Sequence, residues 1–337
     1  MSNVCASCFS DRELVGFIRS QARIGNCDFC AANNVESLPI EELFDFFNEL
    51  VGHFQPKVGG IMLKSIIQGN WSLFSTIDNA YNILNYFLGN VHLPISNADQ
   101  LVDFSNEIHE NVSYWDELKD LLINKNRYIT DVDYLTADLG WDGFFGSQIE
   151  IPVGMPLYRA RLHQNSGEPA YRLDEMFCPP GKYSTTGRAN PSGIPYLYLS
   201  DNNQTVLYEI RAAYLDEVSI GTFTVKSGLE KPVIISDFTE SSTIFHPSKV
   251  GDKIKATLLK QKISADLSKP MRRYDSELDY IPTQFICEFI KIYTGVEGIK
   301  FRSSLDVTGN NFVIFDQAIM DCTAVNQVSV QRVNISV

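Results

Sequence analysis

Four cysteines open the chain in two close pairs, Cys5-x-x-Cys8 and Cys27-x-x-Cys30, with 18 residues between the pairs. Each pair makes a tight turn that aims two sulfurs at one point, and four thiolates in tetrahedral array suit Zn2+. A complete four-cysteine set leaves no coordination position for water, so the expected role of the metal is structural; a redox dithiol is the alternative reading. The chain has seven cysteines and no secretory signal at its start, which argues against a disulfide framework. Cys178, Cys287 and Cys322 are isolated and read as small apolar side chains.

The second half carries a different chemistry. Arg159 and Arg161 alternate within Leu157-Tyr-Arg-Ala-Arg161, so on a strand they share a face. Two guanidinium forks on one face match a pyrophosphate, and a pair of solvated arginines on an exposed strand is the plainer alternative. Gly187 to Pro195 is a turn-rich loop bearing Arg188 and Asn190, a type of segment that often carries function. It leads into Tyr196-Leu-Tyr-Leu-Ser200, where Tyr196 and Tyr198 share a face and are placed to stack on a flat ring. Glu209 sits among Val206, Leu207 and Ile210 on an expected helix, either as the partner of a structural arginine or as a catalytic carboxylate. Ser303 and Asn311 lie beside tight turns, where turn formation alone accounts for polar residues.

In order and content these patches resemble the RES domains, a family named for an Arg, a Glu and a Ser. The resemblance runs from about residue 155 to about 316. It is carried by Tyr158-Arg159, Gly187-Arg188-x-Asn190-Pro191, Leu197-Tyr198-Leu199, Tyr208-Glu209, Tyr280-x-Pro-Thr-Gln284 and Gly298-Ile-x-Phe-x-Ser303. It implies an ADP-ribosyltransferase-like mixed α/β fold and an enzyme that consumes NAD, cleaving the nicotinamide–ribose bond with inorganic phosphate or water as acceptor. It implies Arg159, Glu209 and Ser303 as catalytic residues, and Arg161, Arg188, Asn190, Tyr198 and Asn311 as residues that hold the dinucleotide. The choices of Arg159 over Arg161 and of Ser303 over Ser304 stay open. Many members are toxins restrained by an antitoxin, so a protein of that kind is the implied partner; self-association into a homo-oligomer is also left open. Two other readings remain: an ADP-ribosyltransferase acting on protein, and a zinc-organised interaction protein with an inactive domain. The front half is similar to the cysteine-rich, HEPN-like helical segments that precede some RES domains. Residues 37–125 contain no RxxxxH pair, so ribonuclease activity is not expected there.

These residues need elements to position them. The 337 residues are 44% hydrophobic and 20% charged, the balance of a soluble, cytoplasmic globular protein with room for two or three domains. No apolar run is long enough for a membrane span. Residues 1–150 hold 21 Asp/Glu against 8 Lys/Arg, whereas 151–337 hold 20 of each. The whole excess of −13 therefore sits in the front half and disfavours nucleic acid as its partner. The expected architecture is α+β. It has a zinc module over 1–35, a helical domain with linker over 36–150, and a RES domain over 151–337. In the module, Ser10 to Glu13 reads as a capping box before a helix. Helical periodicity marks residues 40–51, 77–87 and 101–122, and 126–152 reads as linker. Beyond it, strands are expected at Tyr196–Ser200, Ser219–Val225, Pro232–Asp237, Phe312–Phe315 and Val328–Ile335. Helices are expected near Thr205–Tyr214 and Gln284–Tyr293.

Overall fold

The computed structural model describes residues 2–146, 148–239, 243–269, 277–306 and 308–332, and its chain divides into two units. One comprises Met1–Tyr114 with Ser241–Leu259, the other Trp115–Glu240 with Lys260–Val337. These units are drawn differently from the divisions expected at 35 and 150. The cysteine module shares one core with the elements after it, since Val4, Cys8 and Phe9 lie in the same apolar cluster as Phe47, Leu84 and Val112. Residues 115–150 fold with the second unit.

The first unit runs β1 (Asn3–Cys5), α1 (Arg12–Gln21), β2 (Arg23–Gly25), β3 (Val35–Pro39), α2 (Phe44–Gly52), β4 (Phe54–Met62), α3 (Leu63–Trp71), α4 (Ile77–Gly89), β5 (Leu101–Phe104) and the first half of α5 (Asn106–Asn124). Strand β3 lies between β1 and β2. The segment is therefore mixed rather than the helical bundle expected. The long helix expected from Leu101 starts only at Asn106. Leu101–Phe104 alternates exposed and buried residues and pairs antiparallel with β4; a four-residue apolar run fits both periods, and cross-strand pairing decided it. Nor is Ser10 the cap of α1. The cap is Asp11, whose Oδ1 accepts from the amides of Glu13 and Leu14 at 3.0 Å. Its Oδ2 accepts from Ile244 and Phe245 at 2.7 and 3.1 Å, so one carboxylate also anchors the returning segment of this unit.

The second unit is built on an eight-stranded sheet. Its strands are β6 (Gln148–Glu150), β7 (Leu157–Leu162), β8 (Leu197–Ser200), β9 (Glu217–Val225), β10 (Ile234–Asp237), β11 (Gly298–Arg302), β12 (Asn310–Ile314) and β13 (Met320–Ser329), in spatial order β13-β9-β7-β8-β12-β11-β10-β6. The pair β10–β11 is parallel and the other pairs are antiparallel. Helices α6 (Trp141–Phe144), α7 (Asn203–Glu209) and α9 (Ile281–Thr294) belong to it. So does the second half of α8 (Val250–Ser268), a 19-residue helix that the sequence reading did not anticipate. Its buried Val250, Ile254, Leu259, Ile263 and Leu267 alternate with lysines and are divided between the two units, so no single stripe announces it. The expected linker is folded as well: Leu135, Trp141, Phe144 and Phe145 are buried and β6 extends the sheet edge. The last strand lies earlier than expected, over Met320–Ser329; residues 330–332 are irregular and 333–335 of the expected strand lie outside the described residues. Among the described residues, no helix is long and apolar enough to cross a membrane.

Asp237 and Lys300 face each other across β10–β11. The Asp237 side chain is fully buried, and Lys300 Nζ donates to it at 3.0 Å. Burial pushes this carboxyl up, but the hydroxyl and amide of Thr239 and the Lys300 ammonium outweigh it and hold it below the ordinary carboxylate range. A depressed folded value stabilises above the unfolded value and is lost as pH falls through the folded one. Asp237→Asn is accordingly expected to cost about 1.5–3 kcal/mol at pH 7 and progressively less on acidification. Urea unfolding of both proteins at neutral and acid pH measures this, and a pH-independent difference contradicts the assignment.

Candidate functional site

The sheet of the second unit opens at its middle. Strands β7 and β8 share one register pair, Tyr158↔Ser200, whereas β7 pairs with β9 over six residues. Past that pair the strands part, and a cavity of about 730 Å³ is lined by both of them, by α7 and by the loop at Gly187–Arg188.

Helix α7 delivers Glu209 to this cavity. Asn202 caps the helix through the Gln204 amide at 2.7 Å, and Glu209 is its last residue. The carboxylate accepts at a single oxygen, Oε1, from Ser303 Oγ at 2.9 Å and from Asn311 Nδ2 at 2.7 Å. Ser303 follows β11 and Asn311 lies in β12, so three sequence-distant residues meet because two paired strands face one helix end. Ser304 points elsewhere, its hydroxyl donating to the carbonyl of Ser268. The turn joining the two strands approaches α7 closely: a Cβ on Gly309 would lie 1.9 Å from Thr205 Oγ1, which itself holds the Asp306 carboxylate at 2.7 Å. Only glycine fits there.

The arginines are placed unequally. Arg159 lines the cavity, and its Nη1 donates to Cys178 Sγ at 3.1 Å. Arg161 does not line it; it donates to the Glu175 carbonyl and lies 4.9 Å above the Tyr171 ring. Arg188 lines the cavity while donating to the Leu267 carbonyl at 2.8 Å, at the electronegative C-terminal end of α8.

The loop around Arg188 is held from several sides. Asn190 is buried and donates to the carbonyls of Thr185, Pro191 and Ile194, while its Oδ1 accepts from Tyr198 Oη at 2.8 Å. Its polar atoms thus serve the loop, and it does not line the cavity. Tyr198 does line it, but the hydroxyl is engaged by Asn190 and by the Ala189 amide, and burial pushes the phenol well up. Gln284 at the start of α9 donates to Thr186 Oγ1, Gly187 O and Asn190 O, and Thr283 donates to Arg188 O. A Cβ on Gly187 would sit 2.5 Å from Asn190 Oδ1 and 2.6 Å from Tyr198 Oη. Tyr196, expected beside Tyr198, is instead buried against Phe315 with rings 4.9 Å apart. The cavity also takes in Tyr280 and Phe301, which belong to the motifs quoted above but were given no role there, and Arg211, which the sequence reading did not single out. Arg211 lies two residues past Glu209 with φ at 53°, a non-glycine backbone state often found at working sites.

The second candidate site is in the first unit. Cys5, Cys8, Cys27 and Cys30 bring their sulfurs within 4.8 Å of one another. The neighbouring separations Cys5–Cys8, Cys8–Cys27 and Cys5–Cys30 are 3.7, 3.6 and 3.5 Å. A tetrahedral zinc with Zn–S bonds of about 2.3 Å sets its sulfurs about 3.8 Å apart, so the donor set fits a four-sulfur cation. Burial, then hydrogen bonds with Cys30 and Cys27, pushes the Cys5 thiol up to about 11. A cation at the centre offsets that by favouring the thiolates.

Residues 156–335, more than half of the chain, match the family model described as the RES domain, and the chain belongs to that family. No curated protein matches the sequence. Among solved structures, a chain of the M. tuberculosis MbcT–MbcA toxin–antitoxin complex aligns over 56% of this chain and 92% of its own, at 12% identity and a TM-score of 0.30.

Proposed function

We propose that the second unit is an NAD-consuming enzyme that breaks the nicotinamide–ribose bond and passes the ADP-ribosyl group to inorganic phosphate or water. Membership of the RES family supports the class. The observation that carries the reaction is the Glu209 carboxylate, fixed at the cavity by Ser303 and Asn311.

The nicotinamide nitrogen of NAD is cationic, so the C1′–N bond breaks with its electron pair returning to the ring, and no general acid is required. What the site must supply is negative charge near the electron-poor ribose and a grip on the anionic end. Glu209 is the residue for the first task. Ser303 and Asn311 hold its Oε1 still, so their contribution is to position that carboxylate. Arg159 and Arg188 each have further N–H donors beyond the single contact described above and serve the pyrophosphate or the incoming phosphate. The Tyr198 ring forms part of the wall. Attack by a phosphate oxygen at C1′ gives ADP-ribose 1″-phosphate; attack by water, with loss of a proton, gives ADP-ribose. A toxin restrained by an antitoxin partner belongs to the same reading, as does a structural zinc on the four cysteines.

Purified protein incubated with NAD, with and without inorganic phosphate, distinguishes the acceptors by product mass. Free nicotinamide with a phosphorylated ADP-ribose that requires phosphate is the expected outcome for a phosphorylase, and free ADP-ribose for a glycohydrolase. ADP-ribose recovered on protein makes the domain a transferase. Intact NAD under both conditions removes the reading.

A further inference from the structure

Arg159 stands on β7, where side chains alternate across the sheet. Tyr158 and Ala160 pack with Val206 on the α7 side, while Leu157 packs with Met176 and Phe223 on the other. Arg159 shares the parity of Leu157, so its stem leaves on the face away from α7. Arg159 is nevertheless among the residues that line the cavity, whose wall includes both β7 and β8. A four-bond stem leaving the far face has many rotamers, and something must select the one that serves the opening.

The contact that does so is with Cys178. Arg159 Nη1 donates to Cys178 Sγ at 3.1 Å, and the same thiol donates onward to the Tyr196 carbonyl at 3.1 Å, one residue before β8. The cysteine is itself pinned. Its amide donates to Gln317 Oε1 at 2.7 Å, and Gln317 Nε2 returns a bond to the Cys178 carbonyl at 3.5 Å. Gln317 begins a short turn capped by Asp316, whose side chain accepts from the Ala318 amide at 2.9 Å. The chain of contacts thus runs from a capped turn after β12, through a thiol that both accepts and donates, to the guanidinium at the split in the sheet.

We infer that Cys178, held by Gln317, is a positioning residue for Arg159 and thereby sets the affinity of the cavity for the anionic part of its substrate. The inference rests on the NAD-consuming reading for its substrate but not for its geometry. It differs from the sequence reading, in which Cys178 was one more apolar side chain. A thiol suits the place because it both accepts and donates; a serine hydroxyl keeps both functions and an alanine keeps neither.

The test is a double-mutant cycle on the full chain with NAD as substrate. Cys178→Ala is expected to raise KM for NAD about tenfold with kcat within about twofold, and Cys178→Ser to bring KM back to within about threefold of the parent. In an Arg159→Ala background, Cys178→Ala is expected to change KM by less than about twofold, because the group it positions is gone. Equal effects in both backgrounds, or failure of serine to rescue, overturn the inference and leave Cys178 a packing residue. If the parent protein leaves NAD intact, the functional reading fails separately. The parent, the two single alanine variants and the double variant then decide the positioning claim by their urea midpoints, where non-additive losses support a coupled Arg159–Cys178 pair and additive losses overturn it.

Discussion

Glu209→Gln is expected to lower the turnover of NAD by roughly 10²–10³-fold while KM stays within a few-fold. The substitution keeps the size and the planar oxygen of the side chain, so Ser303 and Asn311 still find an acceptor at the position of Oε1. Only the charge is removed. A charge that matters where positive charge develops at the ribose acts in the transition state more than in the bound substrate, and so appears in kcat. Ser303→Ala, which leaves the charge but frees one side of it, is expected to cost less, about tenfold, the scale of one hydrogen bond to a charged group. Steady-state kinetics on the two variants, with melting curves to show that both fold, make the comparison. Unchanged turnover in Glu209→Gln removes the carboxylate from the reaction, whatever the family resemblance implies.

The second large effect concerns the four cysteines. Metal analysis of protein purified without chelator is expected to give close to one zinc per chain, and Cys27→Ser to give little or none. Cys5, Cys8 and Cys27 belong to the core cluster that also contains Phe9, Phe47 and Phe74, so losing the ion loosens the core of the whole first unit rather than a peripheral loop. At free zinc a thousandfold above its Kd, the bound ion contributes about 4 kcal/mol. For a unit of this size that corresponds to a fall in melting temperature of roughly 10–20 °C on chelation. Calorimetry before and after chelation, and after restoring zinc, reads this directly. A melting curve indifferent to the chelator, in protein containing no metal, leaves the cluster as reduced thiols.

Several features were legible in the sequence because they depend on local spacing. Two CxxC pairs set four sulfurs on two turns, and the structure brings them together. Alternation in Ser219–Val225 and β-branched residues in Pro232–Asp237 produced strands where expected, and Pro282 stands near the start of α9 as proline does at helix starts. Gly187 and Gly309 stand where a Cβ has no room, the first crowded by Asn190 and Tyr198 from its own stretch of chain and the second by Thr205, distant in the chain.

Other features were decided by tertiary contacts that no window of sequence contains. Leu101–Phe104 became a strand because β4 offered it hydrogen bonds, and α8 stayed hidden because its apolar residues are divided between two units. Within the site, spacing alone treated Arg159 and Arg161 as equals, and likewise Ser303 and Ser304. Their partners separate them: Cys178 and the Glu175 carbonyl for the arginines, Glu209 and the Ser268 carbonyl for the serines. Asn190 read as a ligand-binding residue, yet its amide satisfies three carbonyls of its own loop. The physical reason is common to all of these. A sequence determines which groups are present and how each segment prefers to fold, whereas the use of a polar group is set by whichever donor or acceptor packing brings within 3 Å of it.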